Sequence, residues 1–282
     1  MDKTKIIAAL VLLPLFIWLI GWAEPTWFLG AVIVLLFGLG SYEYVRLAFG
    51  GVAPLPFAVT LVMNIALGSV VALGATGGVP AMAFSLAMIP LAALLIGILF
   101  MIAEKHLQEI LIKSAKVFFG VLLIGVCGGM VVALRFLEEQ NGGFHLVMLL
   151  FATIWVNDSG AFFAGSMYGK HKIAPNLSPN KTIEGNIGGF LATIFLVCLT
   201  NLFWPFDSWV NVLVLGAVLG VIGPLGDLFE SALKRAAGVK DSGVLLPGHG
   251  GVFDRVDSVL FGAPVLYVYV LLRMIEQTVA AG

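Results

Sequence analysis

Long apolar runs recur through almost the whole sequence, and they constrain its fold more than any other feature. A helix needs about 20 mostly apolar residues to cross the hydrocarbon core of a bilayer, because each residue rises about 1.5 Å. Hydrophobic residues make up 60% of the 282 residues, and charged residues make up only 11%. This composition leaves too little polar surface for a soluble globular domain. The sequence therefore predicts an all-α polytopic membrane protein.

Nine membrane-spanning helices account for these runs. The division between the third and fourth spans is the weakest, because only the short stretch Gly74–Pro80 marks it. The predicted spans are Ile6–Trp22, Thr26–Tyr42, Phe57–Ala75, Pro80–Ala103, Ala115–Leu134, Phe144–Ser166, Ile187–Phe206, Val210–Leu228 and Ser258–Ile275.

The lysines and arginines predict the orientation of these spans. One side of the membrane receives the N-terminus and every second loop, and it holds thirteen cations, whereas the other side holds only Arg135 and Arg273. Because positive charge is retained in cytoplasmic loops, we expect a cytoplasmic N-terminus and an external C-terminus. The thirteen cations are Lys3, Lys5, Arg46, Lys105, Lys113, Lys116, Lys170, Lys172, Lys181, Lys234, Arg235, Lys240 and Arg255.

Polar residues concentrate in the second half of the chain. Residues 1–143 form an N-terminal membrane region of about five spans, and residues 144–282 form a C-terminal region with cytoplasmic loops at 167–186 and 230–257. The outer loops are short, which favours handling of any soluble substrate from the cytoplasm. We therefore expect the C-terminal region to carry the chemistry.

Two aspartates lie towards the cytoplasmic ends of predicted spans. Asp158 follows Trp155-Val-Asn157, and Asp227 lies in Gly223-Pro-Leu-Gly-Asp-Leu-Phe-Glu230. An ionisable residue within an apolar helix indicates a functional site. Asp227 and Glu230 are spaced i, i+3, so a continuous helix places them on one face. The alternative is that these residues are helix ends that simply reach water.

The densest polar stretch runs from Ser231 to Asp257. Its glycine-rich part, Pro247-Gly-His-Gly-Gly251, lets the backbone turn tightly and approach a ligand closely. Cations with exposed backbone N–H groups suit a polyphosphate, and carboxylates suit Mg²⁺. By composition alone, an ordinary basic cytoplasmic loop is the alternative. The stretch contains the cations Lys234, Arg235, Lys240 and Arg255 and the carboxylates Asp241, Asp254 and Asp257.

The order of residues in this stretch resembles the signature of the phosphatidate cytidylyltransferase (CDP-diacylglycerol synthase) family. The signature combines Ser-x-apolar-Lys-Arg, Lys-Asp, His-Gly-Gly and Asp-Arg-apolar-Asp at fixed spacing, and every fixed position from Ser231 to Asp257 matches. A second block, from Asp158 to Gly185, is similar to the region that precedes this signature. It departs from the family at Phe162, where members commonly carry tyrosine, and Phe162 is therefore excluded from the predicted site.

The resemblance implies transfer of CMP from CTP to phosphatidate, which gives CDP-diacylglycerol and pyrophosphate in phospholipid biosynthesis. It implies a multi-pass protein of the inner (cytoplasmic) cell membrane, with CTP from the cytoplasm and phosphatidate from the inner leaflet. It also implies Mg²⁺ held by Asp227 and Asp254, and a second cation is an open alternative. The implied catalytic residues are Asp227, Asp254, Lys240, Arg255 and His249, and the implied substrate-binding residues are Lys181, Ser178, Lys234, Arg235, Asp158 and Asp257.

Other roles and functions stay open. His249 could act as a base, ligate a metal, donate to phosphate or only shape the turn. A polyprenol or phytol kinase is the nearest alternative, since that group is distantly similar near the C-terminus. A cation-coupled transporter also keeps carboxylates within helices, but it would not need such a cation-rich loop. The net charge of −1 gives no indication of nucleic-acid binding. A homodimer is one alternative for the oligomeric state.

Overall fold

The computed structural model describes residues 26–137, 142–243 and 250–281. These residues are predominantly helical, which confirms the predicted all-α polytopic class. The helices are α1 (Thr26–Phe49), α2 (Pro54–Gly74), α3 (Gly78–Ala103), α4 (Leu107–Gly120), α5 (Cys127–Phe136), α6 (Gly142–Tyr168), α7 (Ile183–Phe203), α8 (Trp209–Ala236) and α9 (Phe253–Ala281).

Seven helical stretches within the described residues are long and apolar enough to cross a membrane. The longest, Pro54–Ala103, contains both α2 and α3, joined by a 3₁₀ turn at Ala75–Gly77. Gly78 follows this turn with a φ of 72°, which explains why a glycine stands there. The first predicted span, Ile6–Trp22, lies outside the described residues. The total of nine spans and the sides of the two termini therefore stay predictions.

A π-helical segment makes α4 and α5 parts of one helical stretch. It covers Val121–Val126, and the stretch Leu107–Phe136 that contains it is 30 residues long. A π-helical segment adds a residue to the turn and is often associated with functional positions. Here it packs against α2, where a Cβ on Gly125 would lie only 2.8 Å from the Cα of Asn64.

The described chain forms two compact units, and their bounds differ from the predicted regions 1–143 and 144–282. The first unit comprises the chain up to Phe144 together with Asp241–Arg255, and the second comprises His145–Lys240 and Val256–Gly282. The predicted regions divide the chain by expected function, and that division stays a prediction.

Close backbone packing and one buried polar contact organise the first unit. Helix α2 packs against α5, and a Cβ on Gly129 would lie 2.8 Å from the Cα of Gly68. Asn64 of α2 is fully buried and donates to the hydroxyl of Ser41 on α1 at 2.8 Å. This hydrogen bond satisfies the amide nitrogen of Asn64, while its amide oxygen is buried without a hydrogen-bond partner among the described residues.

Helices α6, α7 and α8 and a small hairpin build much of the second unit. At the α6–α7 contact a Cβ on Gly160 would lie 2.7 Å from the Cβ of Ala192, so the two backbones approach closely. The hairpin consists of β1 (Lys172–Ala174) and β2 (Ser178–Thr182), which are antiparallel. The sequence predicted only a loop at 167–186 and gave no strand. Thr182 ends the hairpin and caps α7 by accepting from the N–H of Gly185 at 3.1 Å.

Asp207 lies in the short turn between α7 and α8 and ties this turn to α9. Its carboxylate accepts hydrogen bonds from the Tyr269 hydroxyl and from Asn211, and it pairs with Nε of Arg273 at 2.9 Å. Burial acts to raise the pKa of Asp207, but the hydrogen bonds and the Arg273 guanidinium outweigh it, so its pKa lies below the ordinary value. The turn and Arg273 therefore lie at the same end of the second unit.

Reporter fusions test the predicted orientation of these helices. Fusions made after Gly185 and after Asp257 are expected to report the cytoplasm, because both sites lie in segments that carry the retained positive charge. A matched fusion after Ser208 is expected to report the external side. A paired set of reporters, one active only inside and one only outside, provides the measurement. An external signal from either of the first two fusions would contradict the nine-span topology.

Candidate functional site

Three carboxylates converge in the second unit. Asp227 and Glu230 lie on α8, Asp257 lies on α9, and one carboxylate oxygen from each lies within 4.8 Å of the others. The i, i+3 spacing places the first two on one face of α8. Gly226 lets α9 approach that face, since a Cβ there would lie 3.1 Å from the carbonyl oxygen of Asp257. Glu230 is buried, and the two aspartates are half-buried. We call Asp227, Glu230 and Asp257 the carboxylate cluster.

Two lysines neutralise part of the cluster. Nζ of Lys181 lies 2.6 Å from Oδ2 of Asp227, and Nζ of Lys234 lies 2.7 Å from Oε2 of Glu230. Asp257 accepts from the backbone N–H of Ser258 at 2.6 Å. Because these groups are mostly withdrawn from water, their mutual interactions are less screened than those of surface charges. These two ion pairs involve Asp227 and Glu230, and the oxygens of the three carboxylates are of the type that a bound cation prefers.

A proline in α8 explains the position of Asn157, which the sequence did not assign to the site. Pro224 has no N–H and leaves the carbonyl of Gly220 without its usual helical partner. The amide of Asn157 donates to this carbonyl at 3.1 Å and to the hydroxyl of Thr193 at 2.9 Å. Asn157 thereby connects α6, α7 and α8 directly beside Asp158.

A cavity of about 460 Å³ lies within the second unit. Lys181 joins the cavity to the carboxylate cluster, because its side chain forms part of the wall while its Nζ contacts Asp227. The ring of Phe162, which the sequence excluded, also forms part of the wall and supplies an apolar surface there. Residues that line the cavity include Asn157, Asp158, Phe162, Lys181, Asn186 and Pro224.

The hairpin that carries Ser178 and Lys181 is anchored at both ends. At its base Glu184 accepts from the N–H groups of Lys170 and His171 at 3.0 and 3.2 Å. At its turn Nε of Arg235 donates to the carbonyl of Leu177 at 3.4 Å. The predicted phosphate-binding residue Arg235 therefore positions the backbone of the hairpin in the described structure.

Asp254 belongs to the first unit, and its carboxylate is held by backbone N–H groups. The N–H of Ser242 lies 3.0 Å from Oδ2 of Asp254, and the N–H of Gly251 lies 2.8 Å from the same oxygen. Gly250 has a φ of 78°, and a Cβ there would lie 2.6 Å from this carboxylate. Ser242 and the glycine pair Gly250-Gly251, which belong to two different parts of the signature, therefore surround the Asp254 carboxylate.

The structure locates the other predicted residues only in part. Lys240 and Arg255 are exposed. His249 lies outside the described residues, so its role stays a prediction. Asp227 and Asp254 belong to different units, and their predicted sharing of one metal ion stays a prediction.

The carboxylate cluster also fits a magnesium ion by the chemistry of its donors. Mg²⁺ takes oxygen ligands at about 2.1 Å, so two of its ligands lie at most about 4.2 Å apart. The cluster oxygens lie within 4.8 Å, and small side-chain movements would bring them to that spacing. The sequence predicted Asp257 as a substrate-binding residue and did not include Glu230 in the site. The i, i+3 spacing of Asp227 and Glu230 was the signal that could have added Glu230.

The sequence matches the Cytidylyltransferase family over residues 3–273. The chain belongs to the cytidylyltransferase family. The matched residues include those of the cavity wall, the carboxylate cluster and Asp254, so the whole candidate site lies within the part of the chain that matches the family.

Individual relatives of this family member are named phosphatidate cytidylyltransferase. The protein of Staphylococcus saprophyticus is 41% identical over 136 residues, which cover 48% of this chain and 52% of the relative. The protein of Staphylococcus aureus strain COL is 44% identical over 137 residues, which cover 48% and 53%. The protein of Staphylococcus haemolyticus is 43% identical over 138 residues, with the same two coverages of 48% and 53%. The chain spans about half the length of the curated relatives it matches.

Proposed function

We propose that this chain transfers CMP from CTP to phosphatidate and so makes CDP-diacylglycerol and pyrophosphate for phospholipid biosynthesis. The convergence of the carboxylate cluster with Lys181 and Lys234 carries the proposal, because it combines oxygen ligands for a cation with positive groups for phosphates. Family membership and the relatives named phosphatidate cytidylyltransferase support the same reaction.

The proposed reaction forms one phosphorus–oxygen bond and breaks another. An anionic oxygen of the phosphatidate phosphate attacks the α-phosphorus of CTP. The bond from the α-phosphorus to the oxygen that bridges to the β-phosphate breaks, and pyrophosphate leaves. Since the nucleophile is already ionised, no side chain has to remove a proton. Positioning and neutralisation of charge are then the main tasks of the protein.

The side chains of the second unit suit these tasks. Lys181 would orient a phosphate in the cavity, and its position on the cavity wall and its contact with Asp227 support this role. Lys234, fixed by Glu230, would add positive charge beside the cluster. Asp158, on the same wall, would hold a second cation or orient Lys181.

We propose that the cation bound by the carboxylate cluster is magnesium, because its donors are oxygen atoms. Asp227, Glu230 and Asp257 would hold it within the second unit. The metal role that the resemblance implies for Asp254 stays a separate prediction. Bound there, Mg²⁺ would supply positive charge to the phosphate oxygens of CTP.

The residues that line the cavity and the predicted topology suggest the directions from which the two substrates enter. The exposed rings of Phe162 and Phe163 on α6 offer an apolar surface to acyl chains, while Asp158 and Lys181 offer polar groups to a headgroup. We infer that phosphatidate enters sideways from the inner leaflet of the cell membrane and that CTP enters from the cytoplasm.

Analysis of the lipid product tests this function. Purified protein in detergent is incubated with CTP, Mg²⁺ and phosphatidate, and the lipids are identified by mass spectrometry. We expect CDP-diacylglycerol, with one pyrophosphate released for each molecule formed, and we expect no product when Mg²⁺ is chelated. Parallel reactions with a polyprenol or diacylglycerol test the kinase alternative. A phosphorylated alcohol together with CDP would replace the proposal with a lipid kinase.

A further inference from the structure

Glu43 is a buried carboxylate in the first unit that the proposed reaction does not use. It lies on α1, and its side chain is 1% exposed. Its oxygens accept hydrogen bonds from the hydroxyl of Ser242 at 3.2 Å, from the N–H of Val252 at 3.1 Å and from the N–H of Phe253 at 2.8 Å. These donors come from both sides of one signature segment, Ser242–Phe253. One carboxylate from α1 therefore holds the two ends of this segment.

The position of Glu43 is electrostatically favourable. A buried carboxylate is costly unless hydrogen bonds or opposite charge compensate it, and here three donors do so. Phe253 is the first residue of α9, and the first N–H groups of a helix lack partners within the helix. The helix dipole also favours negative charge at this end. Glu43 thus acts as an N-terminal cap for α9, although it lies about 200 residues away in the sequence.

Two glycines of the segment are needed for this contact. A Cβ on Gly243 would lie 2.9 Å from Cδ of Glu43. A Cβ on Gly251 would lie 2.5 and 2.6 Å from the two oxygens of Glu43. Either substitution would force the carboxylate or the backbone to move, and either movement would disturb the contact. The sequence attributed Gly251 to close approach of a ligand, whereas the structure shows it approaching Glu43.

The segment held by Glu43 also holds Asp254. Ser242 donates its hydroxyl to Glu43 and its N–H to Asp254. Gly251 donates its N–H to Asp254, and the next two N–H groups point to Glu43. Ser242 therefore bonds both carboxylates, and the consecutive residues Gly251–Phe253 divide their N–H groups between them, so a shift of these residues would disturb both sets of contacts.

We propose that Glu43 is a positioning residue of the transfer reaction. By clamping both ends of Ser242–Phe253, it sets the place and direction of the Asp254 carboxylate. The catalytic consequence rests on the proposed function, while the clamp itself does not.

Substitutions of Glu43 test both parts. Glu43→Gln keeps the size of the side chain but loses its charge and one acceptor, and Glu43→Ala removes the clamp. Ser41→Ala is the matched control, because Ser41 is equally buried on α1 and bonds Asn64 instead of the segment. The measurements are hydrogen–deuterium exchange of peptides covering residues 250–257, the thermal midpoint, kcat, and the Mg²⁺ concentration that gives half-maximal turnover.

We expect Glu43→Gln to increase amide exchange in residues 250–257 and to lower kcat about 10- to 150-fold, the effect of losing one charge-assisted hydrogen bond. The half-saturating Mg²⁺ concentration should rise about 10-fold or more, as when support for a metal ligand is removed. Glu43→Ala should show larger changes in the same direction. Ser41→Ala should lower the thermal midpoint but leave kcat and the Mg²⁺ requirement of the folded protein unchanged.

The possible results separate the two proposals. If the unmodified protein makes no CDP-diacylglycerol, the proposed function is wrong, and amide exchange still decides whether the clamp exists. If that exchange is unchanged in Glu43→Gln, the clamp is wrong. If the unmodified protein is active and the Glu43 variants keep its kcat and Mg²⁺ requirement, or change them no more than Ser41→Ala does, then Glu43 has only a structural role and the inference is overturned.

Discussion

Asp227→Asn is expected to lower turnover about 10²- to 10³-fold, which corresponds to about 2.7–4 kcal/mol of transition-state stabilisation. Asparagine keeps the size of the side chain but loses the charge that pairs with Lys181 at 2.6 Å. It also leaves the carboxylate cluster with two carboxylates in place of three. The measurement is kcat for CDP-diacylglycerol formation by the purified variant at saturating Mg²⁺.

Asp207→Asn is the matched control for this substitution. It makes the same chemical change in the same unit, but at the turn between α7 and α8, where Asp207 bonds Tyr269 and Asn211. It should lower the thermal midpoint while leaving kcat of the folded protein near that of the unmodified enzyme. A normal kcat in folded Asp227→Asn would remove Asp227 from the site.

Lys181→Met should cause the second large loss, a decrease in kcat of about 10- to 150-fold for a lost charge-assisted contact of about 1.5–3 kcal/mol. Methionine fills similar space without a charge. It leaves Asp227 without its ammonium partner and the cavity wall without this cation. Because Lys181 would act on bound phosphate, we expect KM for CTP or phosphatidate to change as well.

Lys172→Met supplies the comparison, since Lys172 lies on the other strand of the same hairpin and is exposed. It should change neither kcat nor KM by more than about 2-fold, consistent with the small effects of most surface substitutions. If both variants lowered kcat equally, Lys181 would contribute only to the overall charge or stability of the hairpin, and its proposed contact with phosphate would be wrong.

The sequence predicted the helices well because apolar runs of the length of a membrane are a strong signal. The predicted Phe57–Ala75 and Pro80–Ala103 correspond to the observed Pro54–Gly74 and Gly78–Ala103. The observed helices often extend further, as α8 does to Ala236. Polar residues continue a helix beyond the apolar run, and hydropathy does not detect them.

The hairpin at 172–182 was missed because its strands are short and only Thr182 among their residues is buried. Such strands carry no alternation of apolar and polar residues, which is the usual signal of a half-buried strand. Its stability comes from contacts that are distant in sequence, such as the one from Arg235 to the carbonyl of Leu177.

The sequence allowed prediction of candidate site residues where they lie close together in the chain. The signature and the preceding block predicted Asp158, Lys181 and Asp257 as site residues, and the position of Asp227 within an apolar span predicted that aspartate. The structure brings Lys181, Asp227 and Asp257 together at or beside the carboxylate cluster, while their roles in the reaction stay predictions. Glu43 could not be assigned in this way. Its partners lie 199 to 210 residues further along the chain, and no spacing rule connects them.

Following the α and γ phosphates of CTP tests directly whether the protein transfers CMP to phosphatidate. Purified protein is incubated with phosphatidate and CTP labelled with ³²P at either the α or the γ position, and lipid and water phases are counted separately. The proposed transfer requires the α label to enter lipid and the γ label to remain in water as pyrophosphate. Entry of the γ label into lipid would show a kinase, and entry of neither label would show that the chain transfers nothing from CTP to phosphatidate.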